Sequence, residues 1–133
     1  MMRKGILLFI MAVLVLVACS TDSTEKTSSV QRIKLTCKMA QGDPPCASLE
    51  SEDPKVVAIV ENAVANAEEM PGMLNYAAES ILRISTGEEM DIYDLNLGSD
   101  REQPALLVKW PDTSTGYEIA IEDANRLREV FGR

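Results

Sequence analysis

The chain contains no histidine, so the commonest general base and the commonest zinc ligand are both missing, and no Ser-His or Cys-His pair can be assembled. Neither a Gly-x-Ser-x-Gly elbow nor a glycine-rich phosphate loop occurs. Carboxylates remain. Asp91, Asp94, Asn96, Ser99 and Asp100 form an oxygen-rich series of the kind that can hold calcium. Their spacing lacks the Asp-x-Asp-x-Asp-Gly rhythm and the closing Glu of an EF-hand loop, and it reads as a solvated strand face and turn. Two carboxylates could cleave a glycosidic bond, but the acidic residues here are scattered over turns and helix faces. The sequence therefore assigns no catalytic residue, no cofactor and no metal. Its one candidate binding surface is aromatic. Trp110 and Tyr117 flank a polar turn and are expected to face each other across two strands, either as a ligand platform or as a plain cross-strand pair.

A second reactive group, the thiol of Cys19, closes the N-terminal segment. Arg3 and Lys4 precede an uncharged run from Gly5 to Ala18, the charge-then-apolar order of a secretory signal. At about 14 residues the run is short for a spanning helix, which needs about 20. Ala18 is the small residue expected at a cleavage site, and Cys19 follows it directly. Ending in Leu16-Val17-Ala18-Cys19, the segment resembles the signal peptide of bacterial lipoproteins. The resemblance stops at the leader and covers none of the folded part. It implies cleavage before Cys19, a diacylglycerol on the new N-terminal thiol, and attachment to a membrane. In lipoproteins of double-membraned bacteria an aspartate after the lipidated cysteine signals retention at the inner membrane. Ser20 at that position implies the periplasmic face of the outer membrane.

With Cys19 given to lipid, Cys37 and Cys46 remain, and an exported chain meets an oxidising compartment, so the two are expected as a disulfide. The Cys-x8-Cys spacing is too wide for a redox Cys-x-x-Cys motif, which makes the bridge structural. Closing a loop of about ten residues stabilises by roughly 2–3 kcal/mol on a chain-entropy basis. Cys37 continues the series Ile33 and Leu35 and is expected to point at the core.

Removal of the leader leaves about 115 residues, enough for one domain and not two. Lys and Arg total 13, and Arg3 and Lys4 leave with the leader, so 11 cations face 21 acidic side chains. A nucleic-acid partner needs clustered cations and is not expected, and composition alone speaks equally against a basic face laid on anionic headgroups.

The elements that must position these groups follow from periodicity. Ser20 to Ser29 has no apolar residue and predicts a disordered tether, at most about 35 Å long and nearer 17 Å as a coil. From Val30 the alternation Ile33, Leu35, Cys37 predicts a half-buried strand, ended by the turn Gly42-Asp43-Pro44-Pro45. Asp53-Pro54 starts a helix with Val56, Val60, Ala63, Ala67 and Met70 on one face, stopped by Pro71-Gly72. Glu68 and Glu69 would then oppose the helix dipole. Residues 73–86 fit two patterns. Leu74, Ala77, Ala78, Ile81 and Leu82 have helical spacing, while Leu82, Ile84 and Thr86 alternate. A short helical turn around Leu74 to Ala78 followed by a hairpin through Thr86-Gly87-Glu88 is expected. Ala105 to Trp110 and Tyr117 to Ile121 read as strands. A closing helix turns Ala124, Leu127, Val130 and Phe131 inward, with Arg126 and Arg128 favouring its C-terminal half and Gly132 stopping it.

The expected whole is a signal peptide over residues 1–18, a lipidated cysteine and tether over 19–29, and one globular domain over 30–133. That domain is α+β, an antiparallel sheet of four or five strands with two helices packed on one face. Its expected role is non-catalytic: an envelope lipoprotein that binds another envelope protein as assembly factor, chaperone or adaptor. Secretion-system pilotins are similar in size and anchoring, an analogy at the level of fold. An inhibitor or immunity protein against a toxin or lytic enzyme would also suit the acidity. A small cell-wall hydrolase is the third alternative.

Overall fold

The computed structural model describes residues 30–38 and 46–133. The leader, Cys19, the tether and the Gly42–Pro45 turn lie outside the described residues. The protein is α+β, with two helices and one antiparallel sheet of seven strands among the described residues. In chain order these are β1 (Arg32–Cys37), β2 (Leu49–Ser51), α1 (Pro54–Asn66), β3 (Glu68–Glu69), β4 (Ser80–Thr86), β5 (Glu89–Asn96), β6 (Ala105–Lys109), β7 (Tyr117–Ile119) and α2 (Ile121–Phe131). The spatial order is β2-β1-β4-β5-β6-β7-β3.

Four or five strands were expected, and the two additional ones are the outermost. β2 and β3 have three and two residues, too few to carry an alternating pattern, and they exist because the chain on either side of α1 runs along a free sheet edge. In β1 the expected alternation holds, with Ile33 and Leu35 buried between exposed Arg32 and Lys34. β4 and β5 form the hairpin, turning at Gly87 with φ +62°, a left-handed conformation that glycine adopts without penalty.

Asp53 caps α1 by accepting the Lys55 N–H at 2.9 Å, and Pro54 occupies the first turn. The helix buries Val60 and Ala63 as expected, with Val57 buried in place of Val56, which is only partly covered along with Ala67. It also stops earlier than Pro71. Ala67 is already extended, and Glu68 and Glu69 belong to β3, so the unfavourable pairing of their charges with the helix dipole does not arise. The buried residues of α1 join Ala124, Leu127 and Phe131 of α2 and one face of the sheet in a single core. Val130 is only partly buried against it.

The other face of the sheet is crossed by residues 70–79. The expected helical turn around Leu74 to Ala78 is absent; this strap is extended and runs from the β7 edge over β6 and β5 to the start of β4. Leu74, Tyr76 and Ala78 are half-buried while Met73, Asn75 and Ala77 are exposed, a period of two. The strap is held by the sheet: Met70 N–H donates to the Gly116 carbonyl at 2.8 Å, Asn96 donates to the Ala77 carbonyl at 2.7 Å, and Glu79 N–H donates to the Asn96 side chain at 2.8 Å. It passes so close that a Cβ on Gly116 would lie 2.6 Å from the Leu74 side chain. Bonding to the sheet replaces the local hydrogen bonds of a helical turn, so the helical spacing of residues 74–82 has no structural counterpart.

Cys37 and Cys46 are disulfide-bonded, with Cα atoms 5.9 Å apart. Both are half-buried, so Cys37 lies at the margin of the core and not in it. Its strand has reached the end of the sheet by that position. The bridge joins the end of β1 to the approach to β2, and Cys37 N–H donates to Ser48 Oγ at 3.2 Å.

Arg128 is fully buried, which its place near the end of an amphipathic helix does not suggest. Its guanidinium donates to the Leu97 carbonyl at 2.6 Å, to the Gln103 carbonyl at 2.9 Å, to the Gly98 carbonyl at 3.3 Å and to Asn125 Oδ1 at 2.7 Å. Loss of solvent lowers its pKa. The side chain thus serves as an internal cap for the connection between β5 and β6. Gly132, at φ +69°, ends the helix just beyond.

Candidate functional site

Trp110 and Tyr117 are not opposite one another. Tyr117 pairs with Leu107, so Trp110 lies three residues past that register position and on the strap side of the sheet. The two aromatics nevertheless meet at the end of the β6–β7 turn, where with Lys109, Pro111 and Asp112 they line a cleft of about 240 Å³. The Trp110–Pro111 peptide bond is cis. Lys109 and Tyr117 also line a second hollow of about 150 Å³, with Val64, Ala67, Tyr93 and Leu107. Val64 and Tyr93 in turn line a third, of about 240 Å³, floored by Val30 and Ile84 and edged by Glu61 and Asp91. Together they make a shallow groove between the second half of α1 and strands β4 to β7. It exists because the helix flank there carries small or short side chains, Val64, Ala65 and Ala67, which leave Tyr117 half-covered above a buried Tyr93.

The charges in the groove are fixed. Lys109 Nζ is 3.3 Å from Asp91 and 5.8 Å from the centre of the Tyr93 ring. Tyr93 and then Asp91 raise the Lys109 pKa, and burial raises that of Tyr93, so the first stays cationic and the second neutral. Asp112 is lowered by its bonds from the Ser114 hydroxyl at 2.6 Å, the Ser114 N–H at 3.0 Å and the Thr115 hydroxyl at 2.9 Å. These bonds tie the carboxylate into its own loop. Such a site can hold an apolar segment between a cation and two carboxylates.

Compared with known proteins, the chain matches no family model, no curated protein and no solved structure.

The oxygen-rich series of β5 is divided by the sheet. Asp91 lies on the helix side, whereas Asp94 and Asn96 point to the strap side, where Asn96 binds the strap backbone. Asp100 accepts the Glu102 N–H in its own turn. Among the described residues no group of three or more Cys, Asp or Glu side chains is gathered as a metal site.

Asp94 is the residue the alternating pattern places wrongly. It stands on the polar register of β5, yet it is 5% exposed because the strap covers it. The Tyr76 hydroxyl donates to its Oδ2 at 2.9 Å, and Lys38 Nζ lies 3.5 Å from Oδ1, which accepts no hydrogen bond among the described residues. The same ammonium sits 5.7 Å from the centre of the Trp110 ring. No signal in the sequence joins Lys38, Tyr76, Asp94 and Trp110; only the crossing of the strap does.

Burial, followed by the bond to Asp94 and its charge, pushes the Tyr76 pKa up to about 12 from an ordinary 10.0. Below pH 10 both folded and unfolded chains keep this proton, and the contribution to stability is fully present. Between about 10 and 12 the unfolded chain releases it first, so stability falls as pH rises through that window. Tyr76→Phe is therefore expected to flatten the alkaline decline of Tm relative to wild type. Parallel Tm–pH profiles from pH 9 to 12 would show that the hydroxyl is not coupled to folding.

Proposed function

We propose that this chain is a lipid-anchored envelope protein, attached through Cys19 and facing the periplasm from the outer membrane, which acts without catalysis by binding another envelope protein. The observation that carries the binding role is the groove beside α1. Its walls are apolar and aromatic, its lysine is held protonated, and its Asp112 carboxylate is already engaged, so it suits recognition of a side chain more than proton transfer. The leader ending in Leu16-Val17-Ala18-Cys19 supports the anchoring, and Ser20 in place of aspartate supports the outer membrane.

Occupancy is tested by placing a photo-crosslinking amino acid at Ala65, on the groove margin, and at Glu122, exposed on α2, in cells carrying the full chain. One discrete protein adduct from position 65 and none from 122 is the expected result. Identical adducts from both positions, or none from 65, would remove the groove as the binding surface. Anchoring is read separately: Cys19→Ser is expected to lose its lipid mass and leave the washed membrane fraction.

A further inference from the structure

The strap covers only part of the second face of the sheet, and what it leaves open is chemically unlike the rest of the molecule. Strand pairing places one row of side chains across this open half: Lys34 faces Arg83, Arg83 faces Ile92, and the Trp110 N–H bonds to the Ile92 carbonyl at 2.9 Å. Met90 lies in the next row toward the hairpin. Trp110 and Met90 are 41% and 55% exposed, against a background in which most large apolar side chains are covered.

Lys34 and Arg83 are like charges directly opposite each other, an arrangement that destabilises a sheet. Neighbouring cations are matched or outnumbered by carboxylates: Arg32 lies 2.6 Å from Glu52 and 3.3 Å from Glu50, and Lys38 is 3.5 Å from Asp94. Lys34 and Arg83 form no ion pair among the described residues, although acidic side chains outnumber basic ones 21 to 13 in the chain. Glu50, which faces Lys34 from β2, is drawn to Arg32 instead. Among the described residues Arg83 has only a 3.3 Å side-chain bond, to the Thr36 hydroxyl.

We propose that this open half-face, with the Lys34–Arg83 pair beside Ile92, Trp110 and Met90, docks on the phosphate headgroups of an anionic membrane. Cations among a tryptophan and flexible apolar side chains match the headgroup boundary, where amphipathic rings and long basic side chains reside. The chain itself leads there. Gln31 N–H bonds to the Ser85 carbonyl, and Ser85 is paired with Met90, so the first described residues, which follow the anchoring segment in sequence, lie at the margin of this patch. The inference rests on the anchoring reading, because an anchored domain need only be oriented and not recruited. Net charge opposes attraction as a whole, but its uneven distribution turns the domain. Arg32, Lys34 and Arg83 against Glu50 and Glu52 leave one net positive charge on this side, which at an anionic surface corresponds to an orientational preference of roughly fivefold.

Trp110 is the only tryptophan, so with the adjoining cleft unliganded its fluorescence follows this face. The lipidated full-length mature protein is placed in phosphatidylcholine vesicles, with or without phosphatidylglycerol, containing phospholipid brominated near the headgroup. Quenching of Trp110 is expected to be severalfold stronger with the anionic lipid. It should fall to the zwitterionic level in Lys34→Glu/Arg83→Glu and be intermediate in Lys34→Gln/Arg83→Gln, all proteins still sedimenting with the vesicles and giving wild-type circular dichroism. Equal quenching in wild type and both variants, with the protein vesicle-bound, would overturn the proposal. So would a Trp110 response to inorganic phosphate without one to anionic vesicles, which would indicate a soluble-anion site. Failure to sediment with phosphatidylcholine vesicles speaks against the lipid on Cys19 and is read without Trp110, so the two readings fail separately.

Discussion

Arg128→Met is expected to lower stability by about 3–4 kcal/mol, since a buried cation and its hydrogen bonds are lost together and the carbonyl of the buried Leu97 loses its donor. For a domain of this size that corresponds to a fall in Tm on the order of 15 °C. The side chain donates to the Leu97, Gly98 and Gln103 carbonyls, and only Leu97 among these three residues is itself buried, which keeps the figure from the top of the range. Arg128→Lys retains the charge but replaces a planar fork with one compact ammonium, which cannot reach all of these acceptors, and it should cost about half as much. As an exposed cation near a helix C-terminus, the role its position in the sequence suggests, Arg128 would contribute only about 0.3–1 kcal/mol. Thermal or urea unfolding of the two variants distinguishes these cases. A loss under about 1 kcal/mol in Arg128→Met would mean that the carbonyls find other donors.

The second large effect concerns the Cys37–Cys46 bridge. Cys37→Ser/Cys46→Ser is expected to lower stability by roughly 2–3 kcal/mol and Tm on the order of 10 °C, because opening the loop returns conformational freedom to the unfolded chain. The bond is half-buried at the end of β1, so unlike a core disulfide it should be accessible to reductant while the domain remains folded. Alkylation and mass spectrometry of the mature protein, before and after mild reduction under native conditions, measure both points. Two labelled thiols before reduction would show that β1 is held by packing alone. With the bridge gone, β2 should suffer first, since among the described residues it pairs with β1 alone.

Several elements were legible because a single local pattern specified each. Asp53-Pro54 marks the start of α1 whatever lies around it, because a carboxylate cap and a proline at the first helical position act within one turn. Ile33 and Leu35, or Tyr93 and Leu95, declare a strand by alternation, and Gly87 and Gly132 supply the left-handed turns that end their elements. The Cys37–Cys46 pairing was also within reach once Cys19 had been set apart.

The misread parts share a cause of a different kind. α1 stops at Asn66 although helical spacing continues to Met70, because Glu68 and Glu69 gain a partner in β7, nearly fifty residues further along. Leu74 to Ala78 has helical spacing too, but hydrogen bonds to Asn96 and Gly116 hold it extended. Trp110 and Tyr117 are separated by a register that turn length alone does not set, and they line one cleft without facing each other.

By itself, then, the sequence determined the α+β class, the elements with strong local periodicity, the helix start, the cysteine pair, and the absence of any histidine-dependent chemistry. These depend on composition or on interactions within a few residues. The tertiary structure alone decided the seven-stranded order, the strap that buries Asp94 beneath Tyr76, the burial of Arg128, the groove beside α1, and the meeting of Lys34 and Arg83. Each of those requires residues distant in the chain to share a register or a face. A period of two or 3.6 says which way a side chain turns relative to its own backbone, but not which other segment will lie across it.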